Sequence, residues 1–231
     1  MTDSAHTPDP ELEHQYKMEP WVTDADTTLS RLTASSIFAG TAFGDTVDIP
    51  YGDDPRQALD IARPDNAPAP TLIFIHGGYW QGSSKEDRRF PGPVFNEFGA
   101  AFISVEYRLA PSVTLDEIVD DVRNAVAWIY KNGADYGIDV DRLYATGNSA
   151  GGHLTASLLA DGWQADYGVP EDVLKGGCAV SGIFDLSPLL QTSQRDNLHL
   201  TEENVARVSP INQLPKPGTP VLLSWGGKES D

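Results

Sequence analysis

Hydrophobic and polar positions along this chain follow two regimes that meet near residue 70. Before that point, residues 46–51 and 57–62 alternate apolar with polar side chains, the pattern of antiparallel strands in a half-exposed hairpin. Residues 64–70 are a proline-rich turn. After it come short, uninterrupted apolar runs at 71–75 and 101–105, as expected of strands covered on both faces. Runs at 143–146, 177–181 and 221–225 supply three more strands. Leu115, Ile118, Val119, Val122, Ala125, Val126 and Ile129 recur at helical spacing and predict a helix over 115–131. Thr114 and Glu117 stand three apart at its start, the pattern of a capping box. Strands alternating with helices predict an α/β fold with a mainly parallel central sheet flanked by helices.

Residues 1–20 hold Pro8, Pro10 and Pro20 with little apolar content, and read as a mobile tail ahead of one domain over 21–231. Residues 182–217 are polar and weakly periodic, an excursion of loop and helix over one end of the sheet.

Charge narrows the partners. Thirty-four acidic against 16 basic residues give a net charge of −18, which repels nucleic acid and anionic membranes. No apolar run nears the roughly 18 residues of a membrane span, and the first residues lack a signal-peptide pattern. The single Cys178 forms no internal disulfide and fits a reducing compartment. These features point to a cytoplasmic protein and do not identify a substrate, which the motifs below read as a small molecule.

The chemistry is concentrated in Gly147-Asn148-Ser149-Ala150-Gly151. A strand-like run (142–146) precedes it and a run of small and apolar residues (152–160) follows, so Ser149 sits on the tight strand-to-helix turn that exposes a nucleophile. Hydrolysis of an acyl compound also needs a base and donors for the developing oxyanion. His76-Gly77-Gly78-Tyr79-Trp80 directly follows the strand at 71–75 and offers main-chain amides. Gly78, Tyr79 and Ala150 are the expected oxyanion donors. Trp80 and His76 are expected beside the substrate, His76 also bracing its loop.

The orienting acid belongs just after a later strand. Glu229 is the candidate, with Asp231 the alternate. A base does not follow: His6 and His14 lie near the start, His153 is expected to pack one turn below Ser149, and His199 in the excursion is a weak substitute. Neither a metal site nor an organic cofactor is expected, because the histidines lack ligand spacing.

The chain resembles the arylformamidases (kynurenine formamidases) of the α/β-hydrolase fold from about residue 51 onward. Tyr51-Gly52, Gln57-Ala58-Leu59-Asp60, the 76–81 loop, Val105-Glu106-Tyr107-Arg108-Leu109-Ala110-Pro111, the elbow through His153, and Ser181-Gly182-Ile183-Phe184-Asp185-Leu186 carry the resemblance. It implies hydrolysis of N-formyl-L-kynurenine to formate and kynurenine in tryptophan breakdown, with Ser149 as nucleophile and Glu229 as acid. It places the family's histidine some tens of residues beyond Asp231. The chain is then read as truncated before the last strand and helix, impaired in catalysis, with a bare sheet edge that a homodimer would cover. A general carboxylesterase and a non-catalytic binding protein are the alternatives.

Overall fold

A computed structural model describes residues 7–17, 24–227 and 229. Its elements are α1 (Pro10–Gln15), α2 (Ala25–Ala39), β1 (Ile49–Pro50), β2 (Ala58–Ala62), β3 (Ala69–Ile75), α3 (Gly92–Glu97), β4 (Ala101–Val105), α4 (Leu115–Asn132), β5 (Ile138–Asn148), α5 (Ala150–Leu159), β6 (Leu174–Val180), α6 (Gln194–Asn197) and β7 (Val221–Ser224). Seven strands form one sheet in the order β1-β2-β4-β3-β5-β6-β7. β1 and β2, and β2 and β4, pair antiparallel; every pair from β4 through β7 is parallel. This is the mainly parallel sheet flanked by helices that the alternation predicts.

The predicted helix is α4, and both halves of its capping box form. Leu115, Ile118, Val122, Val126 and Ile129 are buried on one face. Each such side chain contributes roughly 2 kcal/mol by leaving water. On the same helix Asp121 is buried, and it is answered by Arg108 at 2.7 Å and by the Gln57 amide at 2.7 Å.

Two expectations are corrected, and one element was not foreseen. The hairpin is not half-exposed: β2 is buried at all five positions because β4 lies along its free side, and β1 is only two residues long. Asp60 points inward from β2 and is satisfied by Arg89 at 2.8 Å. The stretch after residue 23 forms α2, which periodicity missed because Ile37 and Phe38 face solvent. The second correction concerns the tail. Residues 7–17 are folded onto the body: Asp9 caps α1, and Glu13 accepts hydrogen bonds from the Ser193 amide at 2.8 Å and its hydroxyl at 2.7 Å. The remainder of the expected tail, 1–6 and 18–20, lies outside the described residues.

At the far edge, β7 pairs only with β6 among the described residues, and all four of its residues are exposed.

Candidate active site

Strands β3, β5 and β6 run parallel, so their C-terminal ends at Ile75, Asn148 and Val180 share one side of the sheet. Ligand crevices of open parallel sheets lie on that side. Ser149 follows β5 there with φ 55° and ψ −122°. Such a backbone costs an L residue about 1–3 kcal/mol. The turn is held because the Ser149 amide donates to Val180 O at 2.8 Å and its carbonyl accepts from the His153 amide at 3.1 Å. Glycine is obligatory on both flanks. A Cβ on Gly147 would stand 2.4 Å from Gly151 O, and one on Gly151 would stand 2.1 Å from Ile75 O.

The loop after β3 lies directly against this elbow. A Cβ built on Gly77 would be 3.2 Å from Ser149 Cβ and 2.6 Å from Asn148 O. Gly78 has φ 113°, and its carbonyl accepts from the Gln81 and Gly82 amides at 3.0 Å each, closing a tight turn. Tyr79 and Trp80 continue at φ 56° and 58°. Among the described residues, no group accepts a hydrogen bond from the amides of Gly78, Tyr79 or Ala150. Ala150 is the first residue of α5, so its N–H is unpaired for the ordinary reason that helix starts leave amides free. The helix's positive end adds to its pull on an anion.

The side chains expected beside the substrate are elsewhere. Trp80 is 1% exposed and donates its indole N–H to His153 Nδ1 at 3.2 Å. His76 is fully buried, stacked on Tyr107 with ring centroids 4.1 Å apart. Its nitrogens face Gly77 O at 2.7 Å and Glu106 Oε1 at 3.2 Å. The left-handed backbone at 79 and 80 turns the indole under the loop, so both residues brace it and neither offers a surface to a ligand. Tyr79 is the half-buried aromatic of the loop, and its hydroxyl donates to Tyr16 O at 3.0 Å. Burial raises the pKa of Tyr16, with a further push from Asp185. Sequence reasoning passed over Tyr16, although Asp9-Pro10 followed by acidic residues is a helix-start signature.

His153 lies one turn below Ser149, as expected. It accepts from Trp80 and donates through Nε2 to Val208 O at 2.7 Å, tying the loop after β3, α5 and the excursion together. His199 directs Nε2 to Pro111 O at 2.8 Å. No hydrogen bond joins a histidine to Ser149 Oγ among the described residues. Glu229 Oε1 accepts from the Ser181 hydroxyl at 2.6 Å and the Gly226 amide at 2.7 Å, next to the end of β6. Asp231 lies outside the described residues.

Burial pushes the His153 imidazole from 6.5 down to about 4, against the opposing effect of its bond to Val208. The unfolded chain therefore binds this proton first as pH falls. Stability from the neutral ring is complete above about pH 6.5 and is lost as pH drops toward 4, by on the order of 3 kcal/mol. His153→Gln keeps a donor and an acceptor without the titration. The difference in urea midpoint between the two proteins should change across pH 6.5 to 4; a constant difference would contradict the buried neutral ring.

The strained elbow, the adjoining glycine loop and the sheet order define the class: this chain is an α/β-hydrolase. Residues 59–230 match the family model BD-FAE, and the chain belongs to that family. It is 35% identical to the kynurenine formamidase of Danio rerio over 213 residues, covering 88% of this chain and 70% of that protein. The kynurenine formamidase of Salmo salar is 33% identical, with 89% and 71% covered. A crystal structure from Silicibacter sp. tm1040, provisionally described as a thioesterase, superposes with a TM-score of 0.83 at 27% identity, covering 95% of this chain and 82% of that one. No helix among the described residues is long and apolar enough to cross a membrane.

Proposed function

We propose that the protein hydrolyses a small acyl group from an aryl amide, N-formyl-L-kynurenine being the favoured substrate, with Ser149 as nucleophile. The observation that carries this reading is the close approach of Gly77 to a strained Ser149, with the amides of Gly78, Tyr79 and Ala150 unpaired among the described residues. That arrangement supports attack by Oγ on a carbonyl whose oxygen collects charge beside Gly78, Tyr79 and Ala150. Aryl amines leave more readily than alkyl amines, so an anilide formyl group suits ester-like serine chemistry. The likeness to two kynurenine formamidases over most of the chain supports the substrate class. Tyr79 and Tyr16, joined at the edge of the loop, supply aromatic surface for the aryl part. Glu229 is assigned as the acid. Since the rings of His76, His153 and His199 are committed to other partners, the base is assigned to a histidine other than these three.

A general carboxylesterase is the second reading, favoured by 37% identity over 152 residues to esterase LipQ of Mycobacterium tuberculosis, which covers 62% of this chain and 36% of that protein. The discriminating assay compares kcat/KM for N-formylkynurenine with that for p-nitrophenyl butyrate, using the gene product as the organism makes it. The formamide should be the better substrate; a preference for the longer acyl ester would replace the first reading by the second.

A further inference from the structure

We infer that Glu106 and Arg56 are positioning residues that clip the oxyanion loop at both ends and thereby set its amides against Ser149. Glu106 follows β4 and is buried. One carboxylate oxygen, Oε1, meets His76 Nε2 at 3.2 Å, at the start of the loop; the other accepts from the Lys85 amide at 3.0 Å, at its end. A single side chain therefore spans the base of the ten-residue segment 76–85. Arg56 reaches in from the turn before β2. Its Nη2 pairs with Glu106 Oε1 and donates to Ser83 O at 3.1 Å, a third attachment inside the segment, while Nε donates to Tyr107 O at 3.1 Å.

The rest of the shell holds this pair in place. Tyr107 lies flat on the His76 ring, and its hydroxyl donates to His76 O at 2.8 Å. The Tyr51 hydroxyl donates to Glu106 O at 2.7 Å. Every one of these bonds lies behind the loop, and none involves Ser149. The loop closes its own turn at Gly78 O, but Gly78, Tyr79 and Trp80 all stand at positive φ and the amides of Gly78 and Tyr79 are kept free, so its position depends on what ties it down. A misplacement of about 1 Å at such donors costs on the order of 10²-fold in rate. The clip supplies the rigidity that the unbonded face of the loop gives up.

The proposal rests on the oxyanion reading above, and the test separates the two. The probes are p-nitrophenyl acetate and its thiono counterpart, in which sulfur replaces the carbonyl oxygen and accepts hydrogen bonds poorly. With the natural full-length enzyme, the oxo ester should turn over much faster than the thiono ester. Glu106→Gln should lower kcat for the oxo ester by about 10²-fold, the scale of losing one oxyanion donor. KM should be little changed and the thiono rate much less affected, so the oxo-to-thiono ratio collapses. Arg56 is 38% exposed at its side chain, so Arg56→Ala is the variant to use if Glu106→Gln does not fold. It should lower the ratio in the same direction, and millimolar guanidinium should restore it. A large natural ratio that survives in both variants overturns the clip alone. A ratio near one in the natural enzyme overturns the oxyanion reading and the clip with it.

Discussion

Replacing Ser149 by alanine in the natural full-length protein is expected to lower kcat/KM toward any acyl substrate by about 10⁶-fold, the scale of removing a serine nucleophile. Stability should hardly move, because the Ser149 hydroxyl makes no hydrogen bond among the described residues and alanine meets the same backbone demand at φ 55°. The same variant should lose covalent labelling by a fluorophosphonate, read as a missing mass increment. Labelling that persists in Ser149→Ala would place the nucleophile elsewhere and end the serine mechanism. The pairing of a very large rate effect with an unchanged melting temperature matters, since a collapsed elbow would also abolish turnover.

Collapse is the expected outcome of the second substitution, Gly151→Ala. Its Cβ would stand 2.1 Å from Ile75 O and 2.7 Å from His76 O, both main-chain atoms of a central strand end and the loop that follows it. Neither can retreat without opening the contact between α5 and β3. The loss should be at least about 4 kcal/mol, the range reserved for a failure of core backbone packing, and should appear as insoluble protein or a strongly lowered urea midpoint. Gly40→Ala is the control: nothing lies within 4 Å of its added Cβ, and its φ is −55°. It should shift stability by no more than about 1 kcal/mol, in the favourable direction. Equal midpoints for the two variants would mean that the close approach at the elbow is not what fixes glycine there.

The glycines on either side of Ser149 show why the elbow was legible in the sequence. A backbone forced to positive φ and pressed against two neighbouring elements leaves a spacing that chance seldom copies, and Gly147 and Gly151 carry it in plain view. The strands were legible for a related reason. β4, buried at all five positions, has no polar face to blur its pattern, and its limits coincide with the apolar run. Direction of side chains was not legible. Trp80 follows the oxyanion glycines and reads as a substrate contact, yet consecutive left-handed residues rotate it beneath the loop onto His153. Helix α2 escaped because its exposed Ile37 and Phe38 break the amphipathic stripe on which periodicity depends. Glu106 stands in the sequence as one residue of the 105–111 motif. A carboxylate directly after a largely apolar strand run is itself a signal, since a buried acid needs partners of its own.

The seating of α1 has a consequence for the order in which the molecule comes together. The helix is six residues long and has no buried residue, far below the length at which an isolated helix holds in water. Its anchors are the carbonyl of Gln191 and the amide and hydroxyl of Ser193, the latter 180 positions away along the chain. A helix that precedes its anchors by this much of the chain is therefore without structure of its own until the excursion beyond β6 has taken shape. The Tyr16 carbonyl that accepts from the Tyr79 hydroxyl is therefore set in place only after the excursion has folded.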